Sequence, residues 1–246
     1  MASIRSAFST GDERTVGGIP VSVHTVGERE FWLVQTGVGL EKARQCAAQL
    51  LAIHSFSLMI STGFACALVP VDIGMLLVGR EVVHSRGEGV ELSPVLDVPG
   101  EERDRLMTLV GAMVSSDHIG RFVSTDHVVG SAREKRAFAE HTKAIGLDME
   151  SAALAAEAFR ARVPFVIVRT VSDLLHEDLP LDFNLFLRPT GWLKGIASIV
   201  TAPSCLLGLG RLRRQSLIAA EGLRSFFCRY AAAMASLRQE RAFSSM

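Results

Sequence analysis

Pro164-Phe165-Val166-Ile167-Val168-Arg169-Thr170-Val171-Ser172-Asp173 is the stretch on which the fold turns. The proline starts a strand, and the β-branched run after it reads as a strand buried on both faces of a sheet. Upstream, Ile145-Gly146-Leu147-Asp148-Met149 reads as another core strand, running straight into a helix over Glu150 to Arg162. Both strands are apolar until they end, and both end in carboxylates: Asp148 and Glu150 in one, Asp173 beside Ser172 in the other. Carboxylates there are costly unless solvated, paired or used. Taken singly, Glu150 can be a helix N-terminal acid and Asp173 a loop cap. Two such ends in neighbouring elements point to a ligand site, because open α/β sheets bind ligands at the carboxyl ends of their strands.

Further upstream, short apolar runs alternate with amphipathic stretches. Strands are expected at Phe31 to Val34, Leu58 to Ser61, Met75 to Val78 and Arg121 to Ser124. The second of these should end in a small-residue loop, Thr62-Gly63-Phe64-Ala65. Helices are expected over Gly39 to His54, over Glu101 to Ser115 and after the capping box Ser131-Ala132-Arg133-Glu134. The alternation predicts an α/β fold: three α/β/α layers around a central mixed sheet. No repeat or linker divides the chain, so residues 1–246 are expected to form one domain. From about residue 195 the chain turns Leu- and Arg-rich, with Arg211, Arg213 and Arg214 ahead of a helix around Ser216 to Leu237. That helix either packs on the sheet or meets a membrane or lipid-like substrate.

The 246 residues carry 26 Lys and Arg against 26 Asp and Glu, and a single Tyr with two Trp, which removes both the charge and the stacking platform expected of a nucleic-acid binder. The four cysteines, Cys46, Cys66, Cys205 and Cys228, form no CxxC pair and have no histidine at metal-ligand spacing. Neither a metal nor a cofactor is expected. The N-terminus has no apolar signal region, and no run reaches the roughly 18 apolar residues of a spanning helix. A cytoplasmic protein is the expectation.

Gly146 to Ala153 followed by Pro164 to Asp173 resembles the paired signature of the nucleoside phosphorylase and nucleosidase superfamily. By pattern it is most similar to the methylthioadenosine/S-adenosylhomocysteine nucleosidases. The likeness extends through Thr36-Gly37-Val38-Gly39, Ser61 to Leu68, Ser124 to Val129 and Leu181 to Leu187, covering roughly residues 12 to 190 in order. It implies hydrolysis of the N-glycosidic bond of a purine nucleoside, adenine by preference, or of a 5′-substituted adenosine. Asp173 then matches the acid that protonates the departing base. Glu150 matches the grip on the ribose hydroxyls, Met149 the apolar face beneath the sugar, and Asp148 a supporting acid. Val128 and Val129 match the segment flanking the base, without its usual aromatic. Ser172 and Phe64 complete the set. His84 and His127 are weaker candidates for substrate contact, and His54 reads as packed. The resemblance also implies a homodimer.

The chain departs from the family pattern in three places. Family members begin with a strand that ends in a small-residue turn and a water-orienting Glu, whereas Met1 to Phe8 enters the pattern after that point. Either the natural start lies upstream of Met1, or the first core strand and its base are missing, which would leave a bare sheet edge. Glu13 and Glu28 fall in hairpin-like segments and do not match. Second, Val69-Pro70-Val71-Asp72 has no Arg and Phe64 stands where a polar residue is usual, which favours water over phosphate as acceptor. Third, the long tail with Asn184, Phe186-Leu187 and Gly191 is similar to the hopanoid-associated phosphorylase group, which implies an adenosylated lipid substrate. Phosphorolysis, and a non-catalytic nucleoside-binding relative, stay open beside hydrolysis.

Overall fold

The computed structural model describes residues 2–8, 11–86, 89–91, 98–184 and 204–244, with side chains for 2–8, 11–86, 98–184 and 208–236. A short helix, α1 (Ala2–Arg5), precedes three antiparallel strands, β1 (Asp12–Val16), β2 (Ile19–Val26) and β3 (Arg29–Val34). Gly17 and Gly18 both take positive φ, 58° and 83°, the conformation a two-residue hairpin turn with the native strand twist requires. After these come α2 (Leu40–Ile53), β4 (Met59–Ala67), β5 (Leu76–Arg86), β6 (Gly89–Glu91), α3 (Glu101–Gly111), β7 (Ile119–Thr125) and α4 (Ala132–Thr142). The order ends with β8 (Gly146–Asp148), α5 (Ser151–Arg160), β9 (Phe165–Asp173) and a long helix α6 (Ser204–Ser244).

The expected mixed sheet is present. β5 pairs with β7 and β7 with β8 in parallel, β8 with β4 antiparallel, and β4 with β9 in parallel. β9 then returns antiparallel to β5, Leu76–Gly79 against Thr170–Ile167, which closes these strands into a ring; β6 hangs from β5. Along β9 the side chains alternate as the pleat demands. Phe165, Ile167 and Val171 enter one core with the alanine-rich faces of α2 and α5, Ala43, Ala47, Ala155 and Ala158 among them. Val166 and Val168 enter the opposite core with Leu106 and Val110 of α3 and Leu223, Phe226 and Tyr230 of α6.

Two expectations need correction. Thr62 to Ala65 do not form a loop: β4 continues to Ala67, because Gly63, at φ 150°, leaves room for Arg169 and the ladder with β9 runs on. β9 likewise continues to Asp173. The C-terminal helix packs on the sheet, where Thr170 Oγ1 donates to the Ala219 carbonyl at 2.8 Å, and no helix among the described residues is long and apolar enough to cross a membrane. Leu185 to Leu187, Gly191 and the 195–203 stretch lie outside the described residues.

β1 to β3 form a sheet of their own. Between β3 and β4 lies a cavity of about 450 Å³, walled by Phe31, Leu33, Leu50, Ile60, Phe227 and Tyr230. On its flanks, β3 has no second ladder partner, and the β4 edge opposite β9 pairs only at Cys66 and Ala67, among the described residues. Amide hydrogen exchange should therefore be fast at the Met59–Ala65 amides not bonded to β9 and slow at Ile167 and Val168, which are laddered on both sides. Equal protection at both places would mean that a strand fills the gap.

Candidate active site

The parallel register of β4 and β9 slips by one residue near its end: Ala65 faces Val171, and Cys66 faces Asp173. Ser172 is the extra residue, and such a bulge re-aims the side chains around it. Ser172 Oγ donates to Asp173 Oδ1 at 2.9 Å. Asp173 Oδ2 lies 2.7 Å from Nζ of Lys135, a fully buried residue on α4. The ammonium's other bonds go to the carbonyls of Leu174 (3.1 Å) and Glu177 (2.9 Å), so all three of its donors are used. Sequence reading missed Lys135. Its signal was position, since Ala132, Lys135 and Thr142 share the buried stripe of α4.

The carboxylates at the end of β8 are organised by Arg169, which was also missed. Arg169 is buried, and its Nε lies 2.8 Å from Asp148 Oδ2, an ion-pair contact outside hydrogen-bond geometry. Its Nη2 donates to Glu150 Oε2 at 3.3 Å and to Ser61 Oγ at 3.1 Å, and its Nη1 to the Phe64 carbonyl at 2.9 Å. The sequence signal was an arginine inside an apolar strand, costly unless partnered.

Asp148 is enclosed. Its Oδ1 accepts from Ser124 Oγ at 2.5 Å and from the amides of Glu150 (3.2 Å) and Ser151 (3.1 Å), while Ser151 Oγ donates to Oδ2. It anchors the start of α5, where a carboxylate also complements the helix dipole, and stands behind the site rather than on its surface. Glu150 is half-buried, and its Oε1 accepts from the Gly39 amide at 3.0 Å. The Thr36 to Gly39 turn thus offers that amide to a carboxylate, and Gly37 and Gly39 supply its positive φ, 82° and 96°. Met149 is half-buried beside Glu150, and Phe64 is exposed on β4.

Val128 is held at both backbone groups by Asn184: its amide donates to Oδ1 at 2.7 Å and its carbonyl accepts from Nδ2 at 2.8 Å. Val129 does not face the site. It is buried with Cys66, Leu68, Val83 and Leu147, because the chain turns it inward after β7. His127 bridges Asp126 and Glu134, each at 2.9 Å, so Glu134 faces the histidine while Ser131 Oγ alone caps α4. His84 is half-buried beside Ser124, and His54 stacks on Trp32 at 4.4 Å. Glu13 pairs with Arg5 on the surface of β1.

β8 runs antiparallel to β4, so the two carboxylate-bearing ends leave the sheet in opposite directions. Arg169, four residues before Asp173, meets Glu150; the intervening strand spans about 13 Å. Among the described residues no group of His, Cys, Asp and Glu could hold a metal ion.

A mixed sheet with helices on both faces, and carboxylates at the ends of β8 and β9, defines the class: the chain belongs to the phosphorylase superfamily, whose family model matches residues 5–188. Among its relatives, a 5′-methylthioadenosine/S-adenosylhomocysteine nucleosidase of Staphylococcus haemolyticus is 28% identical over 217 residues, covering 81% of this chain and 92% of that protein. One from Staphylococcus aureus is 27% identical over 202 residues, covering 75% and 86%. The fold is shared with solved structures. Futalosine hydrolase of Helicobacter pylori matches with a TM-score of 0.66 at 16% identity, covering 95% of this chain and 91% of that one. The Neisseria meningitidis 5′-methylthioadenosine/S-adenosylhomocysteine nucleosidase in complex with methylthio-immucillin-A matches at 0.63 and 16% identity, covering 93% and 94%.

Arg169→Met should lower unfolding stability in denaturant by about 3–5 kcal/mol, since it strands the buried Asp148 carboxylate; a loss below about 1 kcal/mol would refute that role. A second expectation concerns pH. Burial opposes charge on His127, but the bonds to Asp126 and Glu134 outweigh it and raise its pKa above 6.5. The bond to His127 lowers that of Asp126 below 3.8. A raised histidine stabilises the bridge fully below pH 6.5 and ceases to as pH climbs through the raised value; a lowered aspartate stabilises it above pH 3.8 and ceases to as pH falls through the lowered one. The bridge is then strongest between these limits and loosens as pH climbs through the raised histidine value. Proton NMR should show His127 titrating above 6.5, and an apparent value at or below it contradicts the bridge.

Proposed function

We propose that this protein hydrolyses the N-glycosidic bond of a purine nucleoside, adenosine or a 5′-substituted adenosine, and releases the free base. The observation that carries the reading is the placement of Glu150 and Asp173 along one strand, the first fixed by Arg169 and the Gly39 amide, the second by Ser172 and Lys135. Asp173 protonates the base so that it leaves neutral. Glu150 accepts from the ribose hydroxyls, and its negative charge stabilises the oxocarbenium-like sugar. Met149 lies under the sugar, the Val128 segment borders the base, and exposed Phe64 offers an aromatic face.

Water is the acceptor in this reading: Phe64, on β4, stands where the family pattern usually has a polar residue, and Val69 to Gly74 contains no arginine. A homodimer, a cytoplasmic place of action and tolerance of a lipid-linked 5′ group belong to the same proposal. The exposed apolar side chains of Met75, Leu217 and Ile218 support the first and the last.

A panel of adenosines, including 5′-thio and lipid-linked ones, assayed for base release is the test. Asp173→Asn should lower kcat by about 10²–10⁴-fold while adenine still binds. Free sugar, not sugar 1-phosphate, should form in phosphate buffer. Sugar 1-phosphate would establish phosphorolysis, and nucleoside binding without turnover would establish a binding protein.

A further inference from the structure

Lys135 is the most deeply buried ionisable side chain of the site. Its relative exposure as a side chain is 0%, against 13% for Asp173, to which it lies at 2.7 Å. Its remaining bonds go to two backbone carbonyls of the loop after β9. An acid must hold a proton before it can give one, and a carboxylate facing an ammonium rests in its ionised form. At 2.7 Å, Nζ is within reach to hand that acid a proton.

We propose that Lys135 is a positioning residue that stores the proton Asp173 delivers to the leaving base, an inference that rests on the nucleosidase reading above. The step balances within the pair. A proton passes from Nζ to the Asp173 carboxylate, turning an ion pair into a neutral amine and a neutral carboxylic acid. The acid gives that proton to the base as the glycosidic C–N bond breaks with its electron pair going to the base. Water then adds hydroxide to the sugar carbon, and its remaining proton returns to the pair. Entry of the base favours the first transfer, because it excludes water, and excluding water from a buried ion pair raises its cost relative to the neutral pair. Ser172 Oγ and the two loop carbonyls hold the geometry in both states.

The ionisable neighbours leave this proton alone. Cys66 on β4 faces Asp173, and burial first, then the Asp173 charge, pushes its thiol well above the usual range, so it stays protonated. Glu177 is engaged with Gln215 at 2.9 Å and with Arg211 at 3.9 Å. Asp178 accepts from the Ala132 amide at 2.7 Å, Glu134 faces His127, and His176 is exposed.

The test is the pH dependence of kcat and KM for base release in wild type, Lys135→Arg and Lys135→Met, with thermal melting of each. Arg keeps the ion pair but cannot release a proton, so kcat should fall about 10²-fold or more at every pH with KM little changed. Met leaves Asp173 to hold its own proton. Activity should survive at low pH, and the alkaline limb should move down by about one unit or more. In wild type that limb should lie far above the ordinary carboxylic range near 4.

A structural anchor predicts otherwise, and Lys135→Arg within about three-fold of wild type, with an unmoved profile, overturns the proposal. If Arg prevents folding, an unmoved limb in Lys135→Met overturns it. If neither variant folds, a wild-type limb in the ordinary carboxylic range does. The two readings fail differently: wild type that releases no base removes the nucleosidase reading itself, whereas turnover lost in Asp173→Asn but retained in Lys135→Arg removes the proton store alone.

Discussion

The buried guanidinium of Arg169 is the interaction on which the rest of the site depends. It reaches Phe64 and Ser61 on β4, Asp148 at the end of β8, and Glu150 at the head of α5. Arginine suits this place because its planar fork serves several acceptors at once and stays charged in every environment. Two carboxylates beside one cation still leave a net negative charge, and the hydroxyls of Ser124 and Ser151 with the first amides of α5 absorb it at Asp148. What remains available is Glu150, half-buried at the head of α5.

The strand that carries Arg169 also shows what the sequence could and could not reveal. Alternation along Phe165 to Val171 predicts two buried faces, and both are found. The same alternation puts Arg169 with Ile167 and Val171, on the α5 side, so its role could have been read from its register. The slip at Ser172 could not be, because a bulge depends on the partner strand. Nor could the return of β9 onto β5: period-two patterning marks a strand and its faces but names no neighbour. Val129 misled for a related reason. A short apolar residue near a strand end serves a pocket or a core equally well until the turn after β7 decides which.

Lys135 escaped notice on energetic grounds. A buried lysine is rare, so an amphipathic stretch with a lysine on its inner stripe invites the reading that the lysine reaches around to solvent. Here three acceptors converge on it, one of them the carboxylate at the end of β9. The capping box at Ser131 was legible, yet its carboxylate half was diverted to His127, because tertiary partners compete for the same side chain.

The cavity between β3 and β4 reaches the neighbourhood of the Arg169 cluster. It extends from the apolar floor at Phe31 and Ile60 to Thr36, Ser61 and Thr62, which adjoin the Gly39 turn and the Arg169 cluster. Among the described residues two strand edges without further ladder partners face each other across an apolar space, where the walls lose packing contacts. Among the described residues Asp173 has its partners in Lys135 and Ser172, while the cavity opens beside Thr36 and Ser61, on the Glu150 side of Arg169.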